Sequence, residues 1–155
     1  AMMEQTGCAG VVVGRGCLGR PWLFTDLTKS MSGNDERVLP TLHEVREVMF
    51  RHGELIVDYF ESEDRGCRDL RKHMAWYLKG FSVHSELRRQ FGMIASLAEF
   101  RTLLDQLDDQ PYPLEVAEKP RGRTSHGRPP TLPDGWLNDP DEMIQLEAED
   151  MFSGG

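Results

Sequence analysis

The chain has 155 residues, a net charge of -8 and a composition of 39% hydrophobic and 28% charged residues, which supports one ordinary domain with its own core. A complete (β/α)8 barrel is excluded, because it needs about 200 residues or more. No apolar run approaches the roughly 18 to 20 residues of a membrane span, so we expect a cytoplasmic protein with no membrane partner. Three cysteines without a CxxC pair and five histidines without ligand spacing predict no metal site and no catalytic residue.

The charge is distributed unevenly along the chain. Residues 134–155 hold seven acidic and no basic side chains, which is typical of a solvated acidic tail. Residues 65–89, in contrast, hold seven Lys or Arg side chains against only Asp69 and Glu86. This local excess of positive charge can steer an anionic partner even though the chain as a whole is acidic.

Residues 7–16 predict a short buried strand, because a run of valines is bounded by glycines. The chain supplies no neighbouring strand, so we expect an orphan strand from a larger sheet, which can either expose an edge for a homodimer or refold as helix. A short helix over residues 18–27 and a polar linker over residues 30–35 follow. Residues 1–38 are therefore interpreted as a remnant of another domain.

A glycine-arginine turn, Gly14-Arg15-Gly16, stands at the end of the predicted strand. Glycine allows backbone amides to approach a phosphate, and Arg15 offers a fixed counter-charge. A plain tight turn explains the same residues, since a lone GxG after a strand is a weak motif. The turn is therefore a candidate phosphate site with a structural alternative.

Residues 39–110 have helical periodicity and predict four amphipathic helices with short connections, which pack as a four-helix bundle in a mainly α protein. Capping boxes, in which Ser or Thr is followed three residues later by Glu, mark the first and fourth helices. Glycines end the second and third helices. The four helices are predicted to begin near Thr41, Arg65, Ser85 and Ser96.

Residues 111–155 contain seven of the nine prolines and are predicted to be a proline-rich tail with an acidic end. Within this tail, residues 119–128 carry four cations and no acid and can follow a phosphate backbone. Trp136 can instead pin the tail to the bundle. The chain is thus divided into three segments, residues 1–38, 39–110 and 111–155.

One face of the second helix is basic. On a helical wheel its apolar residues fall on one side, and the opposite side carries a stripe of cations with one large aromatic residue. Cations can displace counterions from phosphates and a ring can stack on a base, so this face is a candidate RNA surface. A solvated helix face, or docking of an acidic protein or of the chain's own acidic tail, explains the same stripe. The candidate RNA-binding residues are Arg65, Arg68, Arg71, Lys72, Trp76, Lys79, Arg88 and Arg89, the last two from the third helix.

Two stretches of the sequence, in this order, resemble a known family. Residues 10–24, GVVVGRGCLGRPWLF, are similar to the last barrel strand and following turn of bacterial tRNA-dihydrouridine synthases. Residues 71–80, RKHMAWYLKG, with residues 86–89, ELRR, are similar to the signature of the helical tRNA-binding domain of these enzymes. The chain therefore resembles the C-terminal part of such an enzyme, closest to the B-like subfamily.

The resemblance implies a fold, an activity and a cofactor. The family reduces a tRNA uridine to 5,6-dihydrouridine on a TIM barrel: NAD(P)H reduces FMN, the flavin gives hydride to the base, and a barrel cysteine acts as general acid. By the same resemblance, Gly14, Arg15 and Gly16 hold the FMN phosphate. Residues 1–38 are then the end of the barrel, and residues 39–110 are the domain that binds tRNA.

The sequence also departs from the family pattern. The Asn-x-Gly-Cys-Pro type catalytic loop is absent, and none of Cys8, Cys17 and Cys67 stands in such a motif. No catalytic role is therefore transferred to any residue. We expect a truncated tRNA-recognition fragment that is not catalytic by itself and that holds FMN very weakly or not at all.

Overall fold

The computed structural model describes residues 2–119 and is mainly helical, as predicted. These residues contain a three-residue 3-10 turn, Arg15–Cys17, and no strand. None of the described helices is long and apolar enough to cross a membrane. The α-helices are α1 (Met2–Thr6), α2 (Leu23–Met31), α3 (Leu42–Phe60), α4 (Glu63–Tyr77), α5 (Ser85–Phe91), α6 (Leu97–Leu104) and α7 (Leu114–Ala117).

The first long helix, α3, begins at the predicted capping box. Thr41 accepts a hydrogen bond from the Glu44 amide, and the Glu44 side chain accepts one from the Thr41 amide, which satisfies two amides that the helix leaves unpaired. The N-terminal half of α3 buries its apolar residues, whereas Tyr59 near its C-terminus is 81% exposed. The helix ends at Phe60, and the next residue, Glu61, adopts a left-handed conformation with φ 50°.

Helices α3 and α4 form the most extensive helix pair of the described chain and are joined by only two residues. Two glycines allow their close approach. A Cβ atom on Gly66 would lie 2.7 Å from Val57 Cγ2, and one on Gly53 would lie 3.0 Å from Leu70 Cδ2. Glycine at both sites therefore lets side chains of one helix, Val57 and Leu70, pack directly against the backbone of the other.

Helices α5 and α6 complete the helical core. Ser96 caps α6 by accepting from the Glu99 amide, but the Glu99 side chain accepts from Ala95 and not from Ser96, so the predicted capping box is shifted by one residue. Ser85 is the first residue of α5 and not its cap, which is His84. The buried core consists of Leu42, Val45, Met49, Cys67, Leu70, Met74, Tyr77, Leu78, Phe81, Phe91, Ile94, Phe100, Leu103, Leu104 and Leu107.

The predicted strand over residues 7–16 is wrong. Residues 8–14 have no regular structure, and Val12 is 99% exposed. A strand needs a partner for its backbone amides and carbonyls, and no other described residue supplies one. The exposed strand edge on which the homodimer hypothesis rested is therefore absent from the part of the chain that the structure describes.

The beginning of the predicted tail packs on the helical core. Tyr112 lies against the core and meets the ring of Trp22 edge-on at 5.9 Å between centroids. The short helix α7 follows, with Ala117 buried. The prediction of a linker from residue 111 onward missed these contacts, because Pro-rich composition was the only signal. The rest of the predicted tail, residues 120–155, including Trp136 and the acidic end, lies outside the described residues.

Candidate nucleic-acid interface

Three cations project from the outer face of α4. The opposite face of this helix buries Cys67, Leu70 and Met74 in the core, so the helical period places Arg65, Arg68 and Lys72 in solvent, and we call these three residues the cationic face. Lys72 Nζ lies 2.6 Å from Asp69, and Arg68 lies 3.0 Å from Asp64. Such exposed pairs contribute little to stability, so the three cations are not needed to hold the helix in place.

Trp76 and Lys79 follow the cationic face along the chain but are less exposed to solvent than its three residues, because both are partly buried. The Trp76 ring packs edge-on against His73, with 5.3 Å between ring centroids. Lys79 Nζ donates a hydrogen bond to the backbone carbonyl of Lys119 at 2.9 Å. The structure therefore brings both residues to the C-terminal end of α4, where Lys79 also holds the segment that follows α7.

Arg71 and Arg88 have their guanidinium groups turned into the fold. Arg71 donates through Nε and Nη2 to the carbonyl of Ile94 at 2.9 and 2.8 Å. Arg88 donates to three carbonyls, Leu78 at 3.0 Å, Phe81 at 2.7 Å and Val83 at 3.2 Å. Each arginine thus closes a loop that the helices leave with unpaired carbonyls. The sequence alone does not reveal this inward orientation. An arginine near a helix end can either donate to unpaired carbonyls or face solvent, and the residue type is the same in both cases.

Arg89, the neighbour of Arg88, points the other way. Its guanidinium forms two hydrogen bonds with Glu86, at 2.7 and 2.9 Å, and these, with one from Gln90, hold the pKa of the Glu86 carboxyl at about 2. Adjacent residues of a helix point about 100° apart, and here the Arg88 guanidinium faces backbone carbonyls whereas that of Arg89 faces Glu86. Arg89 is exposed and belongs to α5, apart from the cationic face of α4.

The predicted phosphate turn is open to solvent. Gly14, Arg15 and Gly16 are all exposed, and a Cβ atom on Gly14 would meet nothing within 4 Å. The turn is closed locally by the Cys17 thiol, which lies 3.2 Å from the Gly14 carbonyl. These residues fit one end of a phosphate group at most. They do not form a walled flavin site, and their geometry supports no chemical step on FMN in this chain.

Gly19 docks the segment after the turn onto α4. It has φ +61°, and a Cβ atom at this position would lie 2.4 Å from both the carbonyl carbon of Trp76 and the amide nitrogen of Tyr77. Glycine is therefore required twice, for the left-handed backbone and for the contact. This contact brings the glycine-arginine turn and the RNA-binding candidate helix together. Sequence reasoning did not single out Gly19.

A network of charged side chains ties α2 to the segment after α7. Asp26 is buried and accepts hydrogen bonds from the Val38 amide at 2.7 Å and from Arg37 Nε at 3.4 Å. Arg37 also pairs with Glu118, which lies 3.4 Å from Arg20, and the hydrogen bond to Glu118 raises the pKa of Arg37. Residues far apart in sequence are thereby joined. No local pattern in the sequence predicts such a long-range network.

A cleft of about 610 Å³ opens between residues 17–24 and the helix pair α3 and α4; we call it the α3–α4 cleft. Its walls carry Phe24, His52, His73 and Tyr77. The Tyr77 hydroxyl hydrogen-bonds with His52 Nδ1 at 3.0 Å, and the two histidine rings are 4.7 Å apart. The sequence predicts none of these residues as part of a site, because the two histidines are 21 positions apart and meet only in the fold.

Burial keeps both histidines of the cleft neutral. It is the largest cause that lowers the pKa of His73 to about 4, helped by the nearby His52 and Lys72 and opposed by Asp69. Burial likewise lowers the pKa of His52 and raises the pKa of Tyr77 to about 12. At neutral pH the cleft therefore presents uncharged rings.

The stability of the helical domain is expected to fall as the pH drops from about 6.5 to 5. In the unfolded chain His73 takes up a proton near its ordinary pKa of 6.5, whereas the folded chain binds it only near 4, so the unfolded state binds more protons in this window. His73 alone should remove roughly 1.5 kcal/mol of the free energy of unfolding. Urea unfolding at several pH values measures this loss, and His73→Asn should make the free energy of unfolding depend less on pH. A parent protein that is equally stable at pH 6.5 and pH 5 would contradict the lowered pKa of His73.

The fold and its surface define a class of protein: a helical domain with an outward cationic helix and a glycine-arginine turn docked beside it. The chain matches the family model for dihydrouridine synthase (Dus) over residues 1–112. It therefore belongs to the dihydrouridine synthase family.

Curated relatives are similar over all or part of the chain. The chain is 50% identical over 157 residues to a probable tRNA-dihydrouridine synthase of Mycobacterium leprae and, at the same identity, to one of Mycobacterium tuberculosis, covering 100% of this chain and 40% of each relative. It is 35% identical over 99 residues to tRNA-dihydrouridine synthase B of Pasteurella multocida, covering 63% of this chain and 29% of that relative. The chain thus spans well under half the length of these proteins.

Proposed function

We propose that this chain is the tRNA-recognition part of a tRNA-dihydrouridine synthase, with helices α3 to α6 acting as one bundle. The observation that carries the proposal is the cationic face of α4, where Arg65, Arg68 and Lys72 are exposed on a helix whose other side is buried. Cations aligned on a rigid helix match the spaced phosphates of an RNA backbone. No observation favours an acidic protein as the partner instead. Because the proposed ligand is tRNA, the proposal also includes a cytoplasmic location.

The activity proposed for the whole protein is the reduction of uridine in tRNA to 5,6-dihydrouridine, with NAD(P)H as electron donor and FMN as cofactor. The relatives named as tRNA-dihydrouridine synthases support it. In this chain Gly14, Arg15 and Gly16 would contact the FMN phosphate. Because all three residues of that turn are exposed to solvent, we expect the chain alone to hold FMN very weakly.

Removing two charges from the cationic face is expected to weaken tRNA binding. Arg68→Ala with Lys72→Ala should lower affinity roughly tenfold at low salt and reduce the slope of log affinity against log salt by about 2, because each lost cation leaves one phosphate un-neutralised. Both side chains are more than half exposed, so the fold should be unchanged. Titration of labelled, folded tRNA at several salt concentrations measures both quantities.

The matched control is Lys29→Ala on α2. Lys29, whose side chain is 32% exposed, is also paired with a carboxylate, Glu36, at 3.0 Å, but it lies outside the cationic face. This variant should bind tRNA as the parent does. Equal affinity and equal salt slope for the parent and the double variant would overturn the proposed function.

A further inference from the structure

A row of four rings runs from the α3–α4 cleft to the outer side of α4. Tyr77 and His52 are 5.8 Å apart between ring centroids, His52 and His73 are 4.7 Å apart, and His73 and Trp76 are 5.3 Å apart. Trp76 lies four residues after Lys72, and residues at this spacing are neighbours on a helix surface. The row therefore extends from the cleft to the helix turn that follows Lys72 of the cationic face.

The cleft suits an uncharged ligand and not a phosphate. Its walls also carry Val48 and two half-exposed apolar residues, Phe24 and Leu55, beside the neutral histidines. The charged residues at its edge already have partners: Arg51 pairs with Glu54 at 3.0 Å, and Glu47 pairs with Arg101 at 2.8 Å. An apolar cleft of this size with a few placed polar groups is typical of a site for a flat organic ligand.

We propose that the α3–α4 cleft holds one unpaired base of the same tRNA whose phosphates lie on the cationic face of α4. This inference rests on the proposed function and names a second contact of that site. RNA-binding proteins commonly splay out an unstacked base and stack it on aromatic or histidine rings. The rings of Phe24, His52 and His73 offer such surfaces, and the adjacent cations hold the phosphates of the same strand.

The test is a scan of abasic sites in the single-stranded loops of labelled tRNA, titrated against this chain. Removing the base that enters the cleft should weaken binding about tenfold or more, because stacking on a protein ring accounts for that much, while abasic sites elsewhere should have little effect. The phosphate count is the same in every tRNA, so the salt dependence should not change. A scan in which no position matters would overturn the inference.

A variant of the cleft wall assigns the effect to the cleft. Phe24 is 51% exposed, so Phe24→Ser should leave the fold intact and weaken binding of intact tRNA about tenfold. In this variant, the abasic site that weakens binding to the parent should have no further effect, which is the signature of a direct contact. Tyr59→Ser, an exposed aromatic residue of α3 outside the cleft, is the matched control and should change nothing.

The outcomes separate the inference from the proposed function. Salt-dependent tRNA binding that is insensitive both to base loss and to Phe24→Ser would leave the function in place and overturn the base site; the cleft would then be a surface that another segment of protein covers. Absence of salt-dependent binding would overturn the function itself. An equal loss with Tyr59→Ser would also overturn the base site, because the effect would not belong to the cleft.

Discussion

Gly19→Ala is expected to lower the free energy of unfolding by about 3 kcal/mol, or to release residues 15–24 from α4. The new Cβ atom would lie 2.4 Å from backbone atoms of Trp76 and Tyr77, and a backbone cannot move aside as a flexible side chain can. The positive φ of 61° adds strain for any residue other than glycine, and sparsely populated backbone conformations cost about 1 to 3 kcal/mol each.

Two measurements distinguish the two forms of this loss. A urea unfolding curve followed by circular dichroism reports a lower midpoint if the whole domain is destabilised, and faster amide hydrogen exchange confined to residues 15–24 reports local release. Gly33→Ala is the matched control, since Gly33 also has a positive φ, of 80°, and its Cβ atom would meet nothing within 4 Å; it adds the backbone strain without the contact and should cost about 1 to 2 kcal/mol. A Gly19→Ala protein that behaves like this control would contradict the docking contact.

Arg88→Met is expected to destabilise the fold by about 2 to 4 kcal/mol. Methionine keeps much of the side-chain length but leaves the carbonyls of Leu78, Phe81 and Val83 without the donors that the guanidinium supplies. Hydrogen bonds to charged groups are worth about 1.5 to 3 kcal/mol each, and the loss is largest where the partner stays partly buried. The connection between α4 and α5 should therefore loosen.

Arg89→Met provides the comparison within the same helix. Arg89 is exposed, and its partner Glu86 is exposed as well, so its loss should leave the free energy of unfolding almost unchanged. Thermal and urea unfolding of both variants measures the difference. Equal effects of the two substitutions would show that Arg88 does not hold the loop. The comparison also bears on RNA titrations. Weaker RNA binding by Arg88→Met can be assigned to a lost contact only after the stability of the variant has been measured, because the substitution is expected to loosen the fold.

Much of the helical part was predictable because its signals are local. The capping residue Thr41 and the 3.6-residue spacing of apolar side chains define α3 within a few positions of its bounds. The core positions of α4, such as Leu70 and Met74, follow from the same period. Helix hydrogen bonds run within one segment, so a single stretch of sequence contains the information.

The remaining features depend on partners far away in the sequence. Residues 8–14 have strand composition and no strand structure, because composition does not say whether a neighbouring strand exists. The inward direction of Arg71 and Arg88 depends on carbonyls that the turns leave unpaired. His52 and His73 meet only once α3 and α4 have packed. Each of these is a property of the tertiary structure and has no local signature.

The two-residue connection between α3 and α4 also bears on how the chain acquires its structure. Contacts between helices joined so closely span a short length of chain, so little entropy is lost when they form, and proteins rich in such contacts fold fast. The docking of Gly19 onto Trp76 joins residues 57 positions apart and can form only after α4 has its final backbone. The helical pair is thus expected to form early and the N-terminal segment to assemble last, so that the glycine-arginine turn and the cationic face of α4 come together late in folding.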